Sequence, residues 1–148
     1  MHLTAGRCGH LRKEKVLNVN FATPAEIKSW LAKAKQQHLR GLRDDAEALY
    51  KRVLSSQPRH PEALHLLGLL LYQRGKPKQA IDLIGRAISI NKFSPAYYVN
   101  RGVALLAVNR PESAIEHFQS ALKLNPGLAQ AYLNMGNALR SQKKFAEA

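Results

Sequence analysis

Shifted against itself by 34 residues, the chain lines up with its own landmarks. Alanine recurs at Ala46, Ala80, Ala114 and Ala148, and glycine at Gly68, Gly102 and Gly136, with Ala34 one unit earlier. A large apolar or aromatic residue stands four places before each of the latter set: Trp30, Leu64, Tyr98 and Tyr132. A fixed period of this length means one supersecondary unit copied and stacked, each copy burying its apolar face on the next. The core of such an array is a continuous strip rather than a ball.

Each unit reads as two helices. Pro61, Pro77, Pro95 and Pro111 stand where a helix should begin, since proline suits the first helical position. Gly41 ends a helix, and Gly75 and Asn109 sit where the preceding helix must turn left-handed. Thr23-Pro24-Ala25-Glu26 forms a capping box that starts the first helix. The spacing predicts helices over 24–40, 44–56, 61–74, 77–90, 95–108, 111–124 and 129–142. The connections are short, so successive helices are antiparallel neighbours. Glycine inside a helix costs about 1 kcal/mol against alanine, so three at one spacing imply a packing reason. The expected reason is close approach of the two helices, with Gly68 facing Ala80.

At the level of individual residues the unit resembles the tetratricopeptide repeat, W-x2-L-G-x2-Y followed by A-x3-F and P. The second unit supplies Leu64, Leu67, Gly68, Leu71, Ala80, Ile84 and Ala87. The third supplies Tyr98, Gly102, Leu105, Ala114, Phe118, Ala121 and Pro126. The first supplies Trp30, Ala34, Ala46, Tyr50, Val53 and Pro58, and the fourth Tyr132, Met135, Gly136, Leu139 and Ala148. Lys33 and Arg101 replace the expected leucine, Gln37 an apolar residue, and Lys92 the closing proline. The resemblance covers residues 27–148. It implies an all-α fold, a right-handed α–α superhelix of antiparallel helix pairs, with three full repeats (27–60, 61–94, 95–128) and a truncated fourth (129–148). It also implies a non-catalytic scaffold that holds a peptide or partner protein on its concave face.

Residues 1–22 lack a helical period and cluster Arg12, Lys13 and Lys15, which reads as a flexible basic tail with a short extended piece at Val16–Phe21. Lys144–Ala148 reads as the opening turn of a further helix, which leaves Tyr132, Met135 and Leu139 without cover. The expectation is that the chain is the front portion of a longer polypeptide.

The net charge is +13. Residues 27–60 alone hold eight lysines and arginines against three acids. Such a field weakly attracts acidic partners or nucleic acid; a solvated basic surface is the simpler account of it, and the glycine–alanine pattern disfavours an RNA-reading repeat. No apolar run reaches membrane-span length, and the N-terminus has no secretory apolar stretch. A lone Cys8 excludes an internal disulfide and fits a reducing, cytoplasmic setting. Cys8 and His10 are too few to hold a metal. The six histidines are scattered, without a nucleophile or carboxylate at telling spacing, so neither catalysis nor a cofactor is expected.

Function is therefore expected on the inner face, lined by the first helix of each pair. The places that face it are Lys28, Leu31, Lys35 and His38; His65, Leu66, Leu69, Tyr72 and Gln73; Val99, Asn100, Val103 and Leu106; and Leu133, Asn134, Asn137 and Arg140. Asn100 and Asn134 occupy one place in successive units, with Asn137 one turn on. Their amides donate and accept at once, so they suit an extended peptide backbone; they also suit plain solvation of a helix face. This pattern resembles the repeat array of O-linked N-acetylglucosamine transferases, which implies as an alternative the substrate-recruiting part of a larger glycosyltransferase. His65, Tyr72 and Arg140 complete the candidate groove set, although His65 and Tyr72 also read as ordinary surface residues. The family's clamp for a C-terminal carboxylate is not expected, because Leu31, His65 and Val99 stand where its first cations belong. Arg101 reads as a packed stem with its head in water, or as half of a buried ion pair.

Overall fold

The computed structural model describes residues 21–147. The basic segment before them, with the Cys8–His10 pair and most of the expected extended piece, lies outside the described residues. So does Ala148. Seven helices follow one another: α1 (Pro24–Leu39), α2 (Arg43–Ser56), α3 (Pro61–Gln73), α4 (Pro77–Ile90), α5 (Pro95–Ala107), α6 (Pro111–Leu124) and α7 (Ala129–Ala146). There is no strand among the described residues.

Local chemistry sets the boundaries. At the head of α1, Thr23 Oγ1 accepts the Glu26 N–H at 3.2 Å, and Glu26 Oε2 accepts the Thr23 N–H at 2.7 Å. These bonds hold the Glu26 carboxyl below its usual range, the backbone bond most. Prolines open α3, α4, α5 and α6. Between the helices of the first three pairs the backbone turns left-handed at Gly41 (φ 77°), Gly75 (φ 75°) and Asn109 (φ 59°).

The helices pair as α1 with α2, α3 with α4 and α5 with α6, and each second helix packs on the next first helix. The contacts of α3 with α5 and of α5 with α7 join neighbouring first helices. The result is a solenoid of helix pairs. Tyr50, Ile84 and Phe118 are fully buried at one place in the three second helices.

Those three residues refine the expected close contact. A Cβ built on Gly68 would lie 2.7 Å from Ile84 Cγ1 and 3.3 Å from the Ala80 carbonyl oxygen. One on Gly102 would lie 2.5 Å from Phe118 Cε1. The notch is therefore filled by the large residue four places beyond the conserved-spacing alanine, while the alanine lets the backbones approach.

At the far end the structure corrects the expectation of a new helix at Lys144. The helix α7 runs unbroken from Ala129 to Ala146. One period earlier the turn is made by Asn109 and Pro111, and two periods earlier by Gly75 and Pro77. Lys143 and Phe145 hold those places in the fourth unit; neither favours a left-handed turn nor interrupts the hydrogen-bond ladder, so the helix continues. Tyr132 and Leu139 are about half exposed on it.

Candidate functional site

The first two units enclose an open cleft of about 690 Å³ between α1, the head of α2 and α3. Leu66 and Leu69 on α3 contribute its apolar wall, joined by Leu39 at the end of α1. Leu39 is 89% exposed, an unusual position for a leucine at the mouth of a cleft. Lys35 and Arg43 line the same space, and no carboxylate does.

The back of the cleft is a hydrogen-bonded relay. His38 Nε2 lies 2.8 Å from Gln73 Oε1, and His38 Nδ1 lies 3.1 Å from the Tyr50 hydroxyl. An amide oxygen only accepts, so Nε2 carries the proton and Tyr50 donates its O–H to Nδ1. Burial pushes the Tyr50 phenol up to about 12, which keeps it a donor. Lys35 forms an ion pair with Glu62 at the cleft edge. Further acids of the first unit are committed elsewhere: Asp44 pairs with Arg74, and Glu47 with Lys51 at 2.7 Å and Arg74 at 3.2 Å.

A second junction is closed. His65, expected to face the groove, is only 7% exposed. Asn100 Nδ2 donates to His65 Nε2 at 2.7 Å, and the Tyr97 ring lies over the imidazole at 4.6 Å between centroids. Burial drives the His65 pKa down to about 4. Leu31 and Val99, at the same place in the flanking units, are equally buried. This row packs between successive units rather than lining the hollow side, a correction to its assignment as inner surface.

The remaining candidates divide. Tyr72 is half-buried against the core of the second and third units. Asn134 accepts a bond from Gln130 Nε2 at 3.2 Å, and Asn137 Oδ1 accepts one from Arg140. The structure thus joins His65 to Asn100 and Asn137 to Arg140, and leaves Asn134 and Tyr72 apart from both pairs. Residues at the cleft mouth, Leu39, Gly41 and Arg43, were not in the expected inner-face set. Their only sequence signal is an apolar Leu39 next to a helix-ending glycine.

Arg101 departs from both expectations. Its Nε donates to the Ile81 carbonyl at 3.2 Å and its Nη1 to His117 Nε2 at 3.0 Å. His117 Nδ1–H in turn donates to the Ser113 carbonyl at 2.8 Å. The guanidinium lies against Gly85, where a Cβ would come within 2.9 Å of Nη2. Burial, partly opposed by the Ser113 bond, holds His117 below its usual pKa.

Among the described residues no group of three or more metal-ligating side chains converges, and no helix is long and apolar enough to cross a membrane. Residues 40–121, more than half of the chain, match the family model described as anaphase-promoting complex, cyclosome, subunit 3. Residues 99–148 match the tetratricopeptide repeat model. The chain is 29% identical to tetratricopeptide repeat protein 8 of Caenorhabditis elegans over 84 residues, 57% of this chain but 17% of that one. Among solved structures it is similar to the first repeat domain of Spaghetti (RPAP3) bound to an HSP90 peptide, SRMEEVD. That likeness has a TM-score of 0.79 and 18% identity, covering 83% of this chain and 98% of that chain. It is also similar to a mutant O-GlcNAc transferase of Thermobaculum terrenum, with a TM-score of 0.76 and 33% identity over 80% of this chain and 23% of that one. With the 34-residue period, the filled glycine notches and the paired helices on the same register, the chain belongs to the tetratricopeptide-repeat family.

Proposed function

We propose that the chain is a protein-interaction scaffold whose inner face captures a peptide segment of a partner protein. The observation that carries this reading is the cleft between the first two units, preformed, apolar on one wall and tied at its back by the His38–Gln73 bond between α1 and α3. Rigid walls limit the ordering cost on the scaffold's side, so contacts in the cleft go further toward net affinity. Asn134, Asn137 and Arg140 continue the polar surface toward α7, and each neutral hydrogen bond there adds about 0.5–1.5 kcal/mol net. The fold relative with a bound HSP90 peptide supports the mode of binding in general terms.

Panning a random displayed-peptide library on the folded chain tests this. Enriched peptides should lose binding to Leu66→Asp while the variant keeps its helical circular dichroism. Failure to enrich any peptide, or binding indifferent to Leu66→Asp, removes the proposal.

A second reading places this array in the substrate-recruiting region of an O-GlcNAc-transferase-like enzyme. It is favoured by the 33% identity to the Thermobaculum terrenum protein. Reading the gene past the codon for Ala148 separates the two: a glycosyltransferase domain supports this reading, and further repeats followed by a stop codon defeat it.

A further inference from the structure

We infer that the cleft between the first two units selects an acidic segment carrying one bulky apolar side chain, taken from within a partner chain rather than from its free C-terminus. This rests on the proposed capture of a peptide on the inner face and names the chemistry of what is captured.

Charge is the first argument. Lys35 and Arg43 line the cleft with no carboxylate among its lining residues. Glu62, Asp44 and Glu47 are each bound to a lysine or arginine at or beyond its edge. Arg43 makes no ion pair among the described residues and stands at the first position of α2. Asp44 and Asp45 already occupy the first turn of that helix, so Arg43 is the charge from which an acidic segment gains and by which a basic one is repelled.

Shape and polarity give the second argument. Leu66, Leu69 and the exposed Leu39 supply apolar surface for one large side chain, and about 690 Å³ falls within the range of ordinary ligand clefts. His38 has both ring nitrogens engaged, so it shapes the back wall rather than binding. The Gln73 oxygen is also engaged, which leaves its amide N–H groups to donate to a ligand carbonyl or carboxylate.

The third argument concerns the end of the ligand. The family's clamp for a terminal carboxylate would draw its cations from a row on the first helices. The row that would provide them holds Leu31, His65 and Val99, all three buried, and burial keeps His65 neutral. Nothing in that row rewards a free chain end.

Fluorescence anisotropy with short synthetic peptides tests the inference. The probe is a fluorescein-labelled, C-terminally amidated peptide of aspartate and glutamate around one central phenylalanine. It should bind at low ionic strength and weaken as salt rises. Replacing its phenylalanine with serine, or its acids with glutamine, should cost about tenfold or more, a difference of 1.4 kcal/mol. Arg43→Glu and Leu69→Ala should each cost about tenfold, with unchanged circular dichroism showing that both variants fold. A free C-terminal carboxylate should add nothing.

Equal binding of the glutamine peptide, indifference to Arg43→Glu, a strong gain from the free carboxylate, or competition by a short random single-stranded RNA at equal charge would each overturn the inference. A glutamine peptide that binds the chain equally well but fails to bind Leu66→Asp leaves inner-face capture intact while removing the acidic preference. No binding by any peptide defeats both.

Discussion

Gly102 and Gly136 stand one repeat apart and meet opposite surroundings. A methyl group on Gly102 would strike the buried ring of Phe118 at 2.5 Å, whereas one on Gly136 would meet none of the described residues within 4 Å. Both lie inside regular helix, so neither is needed for backbone conformation. Glycine at this register serves its neighbour: where a second helix presses its large residue into the notch it permits close packing, and on α7 it is only an entropic cost. The same contrast runs through the side chains. The middle units bury Leu64, Ile84 and Phe118, while α7 exposes Tyr132 and Leu139.

The largest effect expected from this contrast is on the notch filler. Phe118→Ala should destabilise the array by about 3–5 kcal/mol, as for other fully buried aromatic truncations. Tyr132→Ala, at a half-exposed site, should stay within about 0.5 kcal/mol. Urea denaturation followed by circular dichroism reads both. Comparable losses for the two variants would break the distinction between a packed middle and an open last helix.

Acid should act on the middle too. The ordinary histidine pKa is 6.5, and burial lowers that of His65 to about 4. The folded state therefore refuses a proton that the unfolded chain accepts. The stabilisation is complete above pH 6.5 and is lost as pH falls from 6.5 toward 4, by about 3 kcal/mol in all at 1.36 kcal/mol per unit. His117 shifts in the same direction and adds to the loss. The lowered carboxylates Glu47 and Glu112 act mainly below their ordinary value of 4.5, so comparison of pH 7 with pH 5.5 isolates the histidines. His65→Leu should flatten the decline across that interval. An unchanged slope would show that His65 is not the group responsible.

His65 also shows what was legible in the sequence and what was not. The starts of α1, α3, α4, α5 and α6 and the left-handed turns of the first three pairs could be read from proline, glycine and asparagine, because those residues act through their own backbone. The hairpin partners followed from the period. The inner surface followed less well, because a residue's place on a helix says which way it points and not what another unit lays over it. Tyr97 covers His65 and Asn100 reaches it, both from α5, the first helix of the following unit; neither contact is encoded within the second unit. The error at Lys144 has the opposite origin, in local residues outweighed by the repeat pattern. The period announced a turn, but Lys143 and Phe145 lack the chemistry that makes one.

The asparagine pair offers a finer test. Asn100→Ala removes the donor to a buried imidazole nitrogen and should cost about 1–3 kcal/mol. Asn134→Ala, at the same place one unit on, loses only an exposed bond to Gln130 and should stay within about 0.5 kcal/mol. Thermal melts of the two variants side by side decide it. If Asn134→Ala proves as costly as Asn100→Ala, the two asparagines share a structural role and the difference between the units is smaller than the contacts imply.

The smallest effect is the one that isolates the glycines. Alanine in mid-helix is better than glycine by about 1 kcal/mol. At Gly102 that gain is opposed by overpacking of about 1–3 kcal/mol, because Phe118 is fully enclosed and has no free end to swing away. Gly102→Ala should therefore range from nearly neutral to destabilising by about 2 kcal/mol. At Gly136 no described residue opposes the gain, so Gly136→Ala should stabilise α7 by up to about 1 kcal/mol. Amide hydrogen exchange along α7 resolves a change of that size even where global unfolding does not, since the helix opens locally before the array does. Slower exchange in Gly136→Ala together with faster exchange around Phe118 in Gly102→Ala is the expected pattern. Slower exchange in both would mean that the Phe118 ring can yield, and that the notch is a tolerance rather than a requirement.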